Sequence, residues 1–315
     1  MARLGVVFPG QGSQYLGMGR ELYGHFDEAR ACFDEAGRIL GSDLSRLCFE
    51  GPRESLDLTV NTQTATLTLE AAAWAVLEKS ISVSPLAMAG HSLGEYGALC
   101  ASGVIPFADA LRVVQARAAR QQEAVAPGIG ANAAIQGLSR DRVEALCAEV
   151  AAASGVVSPS CYNAQDQTVV SGMAEPVERV MAKALAEGAK RALKLPLSVP
   201  FHSPLLKEAA ARFGTDIAGQ RFAKGRFPVI PNCDPDVRHS EATTRDLLIR
   251  QIVEPVRWVE TIEQMVRMGV DTIIEVGPKR VLSVLAVRIH KGLKLFNVEN
   301  LESLEMTVIA LKAGG

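Results

Sequence analysis

Gly90-His91-Ser92-Leu93-Gly94 sets a serine between two glycines, after the apolar run 86–89 and before a helix-forming segment. Strand, sharp turn and helix in that order are what give the G-x-S-x-G pattern meaning. The turn strains the serine's backbone and tolerates only small flanking residues. It holds the hydroxyl out of the sheet, beside the first free N–H groups of the helix. Those donors favour negative charge and suit an oxyanion forming next to Ser92. The plainer alternative is a glycine-bounded turn with an ordinary serine; the strand before it and the helix after it favour a nucleophile.

A serine needs a base to take its proton, most often a histidine. The chain offers His25, His91, His202, His239 and His290. His25 and His290 fall on polar helical segments and His239 in a charged loop. His91 points elsewhere if Ser92 points outward. His202 follows the serine in chain order, in the loop Pro200-Phe201-His202-Ser203-Pro204 at the end of an expected strand, and fits best. No carboxylate stands out as a third member, since Asp234 and Asp236 read as turn residues. A backbone carbonyl can hold an imidazole's tautomer equally well. Arg117 shares a helix face with Ala110, Val113 and Val114, whereas Arg112 and Arg120 lie off that stripe and are expected to be solvated. Arg117 is either an arginine snorkelling past the core rim or a guanidinium offered to a carboxylate in a cleft.

These groups need a scaffold, and the chain's 315 residues suffice for a large α/β domain or a core with a smaller companion. Hydrophobic residues make up 48% of it, enough for a substantial core. A net charge of -2 gives no electrostatic case for nucleic acid or an anionic membrane. Six scattered cysteines without metal-ligand spacing read as small buried hydrophobes in a reducing compartment, and no metal is expected. No apolar run reaches membrane-spanning length and the N-terminus lacks a signal-like core, so the expectation is a soluble, cytoplasmic protein.

Residues 3–8 read as a buried strand broken by Pro9-Gly10-Gln11-Gly12-Ser13-Gln14. A dinucleotide fingerprint is refused there, because Tyr15 stands where the third glycine should be. The loop is therefore close-approaching backbone with N–H groups aimed at something. Residues 62–79 form a long helix, apolar nearly all round and so buried. From 128 to 199 the order is β-α-β-β-α-β: strands at 131–138, 156–162, 168–171 and 192–199, a helix at 140–153 capped by Ser139, and a helix from Glu175-Pro176 to Gly188. That is the ferredoxin-like order. Its strands lack the stacking aromatics of an RNA-binding module and its first helix is acidic. Strands are expected again at 227–230 and 272–276, with helices at 243–252, 258–268, 281–289 and 304–312. The expected architecture is α/β: a mostly parallel core made of 1–127 and 200–315, with a small ferredoxin-like domain, 128–199, inserted into it.

Gly10-Gln11-Gly12-Ser13-Gln14, Gly90-His91-Ser92-Leu93-Gly94-Glu95, Arg117, Pro200-Phe201-His202-Ser203 and Gln251…Pro255-Val256…Trp258 occur in that order and at characteristic separations. Together they closely resemble the bacterial malonyl-CoA:acyl-carrier-protein transacylases and the acyltransferase domains of polyketide synthases. The likeness runs through Glu275-Val276-Gly277-Pro278. It implies an α/β-hydrolase-like core, with Ser92 as the nucleophile that takes the acyl group as an ester and His202 as its base. It implies that the Gln251 carbonyl orients that base and that the N–H groups of Gln11 and Leu93 form the oxyanion hole. Arg117 would clamp the free carboxylate of malonate, with Phe201, Gln63 and Asn163 also contributing to substrate binding. Leu93 and Phe201 match the malonyl-selective members.

The chain departs from the family's usual residues at Thr64, Gln165, Asn132 and Gln121, where proline or methionine is common. The implied partners are malonyl-CoA and holo acyl carrier protein, in ping-pong order, with coenzyme A thioester as substrate and no permanent cofactor. A monomer is expected. An acidic carrier calls for a basic rim, for which Lys190, Arg191, Arg288 and Lys291 are candidates. Two other functions compete: a serine thioesterase or hydrolase on the same elbow, and a non-catalytic carrier-binding scaffold.

Overall fold

The computed structural model describes residues 2–126, 128–197 and 199–313. β1 (Leu4–Phe8) is the centre of a parallel sheet because Val6, Val7 and Phe8 are wholly buried on both faces. The helices α1 (Arg20–His25), α2 (Asp27–Leu40), α3 (Leu44–Glu50), α4 (Arg53–Leu56) and α5 (Thr59–Ser80) then lead to β2 (Ala87–Gly90). α5 is buried along most of its length and packs against α2, as its all-round apolar sequence requires. α6 (Gly94–Ser102) and α7 (Phe107–Glu123) follow the elbow.

A second sheet comes next: β3 (Gly130–Gln136), α8 (Arg140–Ser154), β4 (Val157–Ala164), β5 (Gln167–Met173), α9 (Ala174–Ala186) and β6 (Arg191–Lys194). The chain then returns through α10 (Lys207–Asp216), β7 (Val229–Ile230), α11 (Thr244–Val253), α12 (Trp258–Arg267), β8 (Thr272–Val276), α13 (Val281–Ile289), β9 (Lys294–Val298) and α14 (Leu301–Ala313).

Among the described residues the large sheet has the order β7-β2-β1-β8-β9, every pair parallel. The small one has the order β4-β5-β3-β6, every pair antiparallel. Its β-α-β-β-α-β course and strand order are ferredoxin-like, and the Ser139 hydroxyl accepts from Arg142 N–H at the start of α8 as a cap should. One face of the small sheet packs on α8 and α9 through Ile135, Val143, Leu146, Val170, Val177 and Val180. The other turns Ala134, Cys161 and Val169 towards Val256, Trp258 and Leu285 of the large unit. Backbone bonds stitch that seam, Tyr162 N–H to Val256 O and Val256 N–H to Ser160 O, at 2.8 and 2.9 Å.

The strand expected at 192–199 is shorter, ending at Lys194; Pro196 interrupts it and Ser198 lies outside the described residues. Among the elements that escape the sequence reading are α4, α10 and β9. β9 is an edge strand of mixed polarity, formed by pairing with β8. Arg120, expected to be solvated, grips Asp216 with two bonds of 2.7 and 3.0 Å and ties α7 to α10. Arg112 is exposed and meets Asp109 one turn away.

Candidate active site

β2 ends at Gly90, Ser92 takes φ 54°, and α6 begins at Gly94. The turn is possible only with glycine on both sides. A Cβ on Gly90 would lie 1.9 Å from the Gly94 carbonyl, and one on Gly94 would lie 2.0 Å from the Phe8 oxygen. The first loop is equally tight, since a Cβ on Gly10 would stand 2.4 Å from His91 O. Among the described residues, the non-glycine positions with positive φ are Ser92, His202 and Lys279. Two of these three strained positions thus face each other in one cleft.

Ser92 Oγ and His202 Nε2 are 2.7 Å apart. His202 Nδ1–H donates to the carbonyl of Gln251 at 2.7 Å and lies 3.2 Å from that of Glu254. A carbonyl only accepts, so the proton sits on Nδ1 and the lone pair on Nε2 faces the serine hydroxyl. Burial, then the nearby charge of Arg117, then His91 push the His202 pKa down to about 3, so its resting form is neutral. Neither Asp234 nor Asp236 takes part; both lie near arginines, Arg250 and Arg267.

Arg117 is wholly buried behind the serine. Its Nη1 donates to Gln63 Oε1 at 2.8 Å, and Nη2 to Gln251 Oε1 at 3.0 Å and Ser92 Oγ at 3.1 Å. Its guanidinium carbon lies 5.3 Å from the centre of the Tyr96 ring. Among the described residues no carboxylate forms an ion pair with it, and burial lowers its pKa. The buried Glu95 acts on it only at a distance, across the Gln251 amide, so a buried cation without a direct acidic partner lies beside the serine and could pair with an anion.

The serine's N–H donates to Asn232 Oδ1 at 2.6 Å and the N–H of Gly94 to His91 O at 3.0 Å. In the first loop, Gly12 N–H donates to Gln14 Oε1 and Ser13 N–H to Gly10 O. Among the described residues the N–H groups of Leu93 and Gln11 donate to nothing. They are therefore available to an oxyanion.

The cleft itself has a volume of about 400 Å³. Gln11, Ser92, His202, Phe201 and Asn163 line it; Arg117, Gln63 and Gln251 lie beneath its floor. His91 does line the cleft, but its Nε2 is held by Asn163 Oδ1 at 2.8 Å and its ring lies 5.6 Å from that of Trp258. Four residues of this neighbourhood are given no role by the sequence reading. Asn232 Nδ2 donates to Gly90 O at 2.6 Å, so one amide spans the elbow. Glu95, wholly buried, accepts from Asn232 N–H and Gln251 Nε2, both at 2.9 Å, and meets His239 Nε2 at 2.8 Å. His239 in turn faces Thr244 Oγ1. Glu95 sits three residues past the serine, one helical turn away; that spacing could have suggested a supporting role.

Of the basic candidates, Arg288 is tied to Asp166 and Gln167 at the tip of the β4–β5 hairpin, which removes it from a free rim. Lys190, Arg191 and Lys291 are exposed. Among the described residues, no group of His, Cys, Asp or Glu gathers as a metal site, and no helix is long and apolar enough to cross a membrane.

A serine bonded to a neutral histidine, at the carboxyl ends of a parallel sheet and with free N–H groups beside it, is a site built for acyl transfer. The sequence matches the acyl transferase domain family over residues 6–307, and the chain belongs to that family. It is 43% identical over 289 residues to the malonyl CoA-acyl carrier protein transacylase of Salmonella typhimurium, covering 92% of this chain and 93% of that one. Its fold is similar to an acyl carrier protein S-malonyltransferase from Vibrio cholerae, at TM-score 0.94 and 41% identity over 97% of this chain and all of the other. A malonyl-transacylase solved in complex with its type II polyketide-synthase acyl-carrier protein is similar too, at TM-score 0.95 and 42% identity over 98% of this chain and 100% of that one.

Proposed function

We propose that this acyltransferase moves a malonyl group from malonyl-CoA to the phosphopantetheine thiol of holo acyl carrier protein through a malonyl ester on Ser92. The observation that carries this reading is Arg117, a buried cation with no acidic partner, bonded to the hydroxyl that would hold the acyl group. His202 Nε2 takes the Ser92 proton as Oγ attacks the thioester carbonyl. The N–H groups of Gln11 and Leu93 receive the oxyanion, each worth ~2.7–4 kcal/mol in such a site. The tetrahedral intermediate collapses, coenzyme A leaves as its thiol with the proton from His202, and the acyl-serine remains.

The carrier's thiol then repeats the sequence in reverse, with His202 as its base, so the kinetics are ping-pong. Arg117, drawn from the serine to the substrate's free carboxylate, pairs a charge that would otherwise cost several kcal/mol to bury. Phe201 and Asn163 shape the acyl pocket. Relatives that carry "malonyl CoA-acyl carrier protein transacylase" as their name support the donor and the acceptor. A monomer in the cytoplasm, with six free cysteines, accommodates this chemistry without any bound cofactor.

Intact-protein mass spectrometry tests the reading. A malonyl adduct should form with malonyl-CoA, vanish in Ser92→Ala and discharge onto added holo carrier protein. Adduct loss to water, unaffected by the carrier, would instead make the protein a thioesterase.

Residues 128–199 we take as a unit inserted into a catalytic domain of 1–127 and 200–315. Limited proteolysis should cut first around 128–130 or Pro200, and cleavage confined to the termini would count against that division.

A further inference from the structure

A malonyl ester carries a hazard that neutral acyl esters lack. Its carboxylate stands one methylene from the ester carbonyl. The bond to that methylene can break, releasing carbon dioxide and leaving the electron pair as an enolate whose charge falls on the carbonyl oxygen. The N–H groups of Gln11 and Leu93, which donate to nothing among the described residues, would stabilise that oxygen as they do a tetrahedral oxyanion. A dry pocket adds to the hazard, because an unpaired carboxylate is destabilised there and carbon dioxide is not. A cleft suited to acyl transfer is thus suited to decarboxylation too, unless something holds the carboxylate's charge in place. Arg117 stands where it can: wholly buried, without a direct acidic partner, and with Nη2 3.1 Å from Ser92 Oγ, the atom that carries the ester. Arg53, which also lines the cleft, is held by Asp57 at 2.7 Å.

We propose that Arg117 preserves the acyl group as well as selecting it, its charge suppressing a malonyl-ester decarboxylase latent in the same cleft. The inference rests on the malonyl reading above. An ion pair made by the reactant and lost as the reaction proceeds raises the barrier to that step. Decarboxylation moves negative charge off the carboxylate, away from the guanidinium, and onto the ester oxygen. His202 adds a second restraint. Its Nε2 proton leaves with coenzyme A, and Nδ1–H stays on the Gln251 carbonyl at 2.7 Å, so the histidine has no proton to give an enolate carbon. That proton comes from water, and the products are an acetyl ester on Ser92, carbon dioxide and hydroxide.

Arg117→Met fills much of the space without charge, Arg117→Gln adds neutral hydrogen bonding, and Arg117→Lys keeps the charge. Each protein is loaded at saturating malonyl-CoA and freed of donor by gel filtration. The ester is then followed by intact mass and by release of labelled carbon dioxide from the malonyl carboxyl. The unmodified protein and Arg117→Lys should keep the malonyl ester. In both neutral variants the malonyl adduct should turn into an acetyl adduct about 10²-fold faster, the scale of removing one member of a buried ion pair. Altered packing alone slows loading or speeds hydrolysis, and neither leaves an acetyl group on Ser92. Neutral variants that release carbon dioxide no faster than the unmodified protein, including for want of any ester, overturn the guard. Equally rapid release from Arg117→Lys overturns it too. Should one neutral variant not fold, the other carries the same expectation. If the unmodified protein takes no malonyl group, both readings fall; if it does and the neutral variants keep their carboxyl, only the guard falls.

Discussion

Two walls meet at the cleft, and they are built on opposite principles. The wall on the large sheet is buried polar structure: Arg117, Gln63, Gln251, Glu95 and Asn232 hold one another and the serine through charged or amide hydrogen bonds of 2.6–3.1 Å. The wall on the small sheet is mostly neutral surface, and Asn163 is its direct polar link to the elbow, through His91. In a low-dielectric interior the first kind of wall is sensitive to each missing partner, because every loss strands a buried donor or charge. The second kind loses a contact and little else. Chemistry on one side and shape on the other is the division this teaches. Substitutions on the two sides should therefore differ in size by orders of magnitude.

Arg117→Ala should have the largest effect. Malonyl loading should drop about 10²- to 10³-fold, the scale of removing one member of a buried ion pair. Loading of a neutral acetyl group should suffer far less, since it brings no charge to the pocket. Equal loss with both donors, measured by single-turnover loading, would remove the clamp.

The same variant tests the electrostatics through pH. Only neutral His202 can act as base, and Arg117 is the second of the causes that hold its pKa near 3. The acid limb of acetyl loading should lie far below pH 6.5 in the unmodified protein and move upward in the variant, as one barrier to protonation disappears. Folding responds in the same sense. Between pH 6.5 and about 3 the unfolded chain binds a proton at this histidine that the native one refuses, so stability falls as pH falls through that window. A limb that stays in place in the variant would show that the charge of Arg117 has no part in holding His202 neutral.

Asn232→Ala should come next. It strands the Ser92 N–H and the Gly90 carbonyl together, both in the elbow. A loss of about 1–3 kcal/mol in unfolding free energy, with slower loading from every acyl donor, is the expected pattern. A selective loss of malonyl alone would mean that Asn232 touches the acyl pocket and not the turn.

The sequence disclosed the parts whose causes are local. The elbow was legible because Gly90 and Gly94 are steric necessities of the turn, and the small sheet because each of its strands and helices announces itself within a few residues. His202 could be chosen by position in the chain. Gln251 could be reached only through resemblance, since its contribution to the base is a backbone carbonyl, which any residue supplies. Asn232, 140 positions from the serine it holds, looked like a loop residue, and the Glu95–His239 contact spans a similar distance. β9 was lost because its strand character comes from pairing with β8 and not from its own composition.

Asn163→Ala should have the smallest effect of the set. It deletes a neutral hydrogen bond of 2.8 Å to His91, whose ring remains packed against Trp258 and whose backbone N–H is fixed to Phe8 O at 2.9 Å. A neutral bond of this kind is worth about 0.5–1.5 kcal/mol, so kcat/KM should fall no more than about tenfold, and similarly for malonyl and acetyl donors. His91 also contributes to the low pKa of His202, and burial opposes charge on His91 itself, so its loosening should leave the pH profile nearly unchanged. A loss as large as that of Arg117→Ala would mean that the small sheet holds reacting groups in place, and the contrast between the two walls would dissolve.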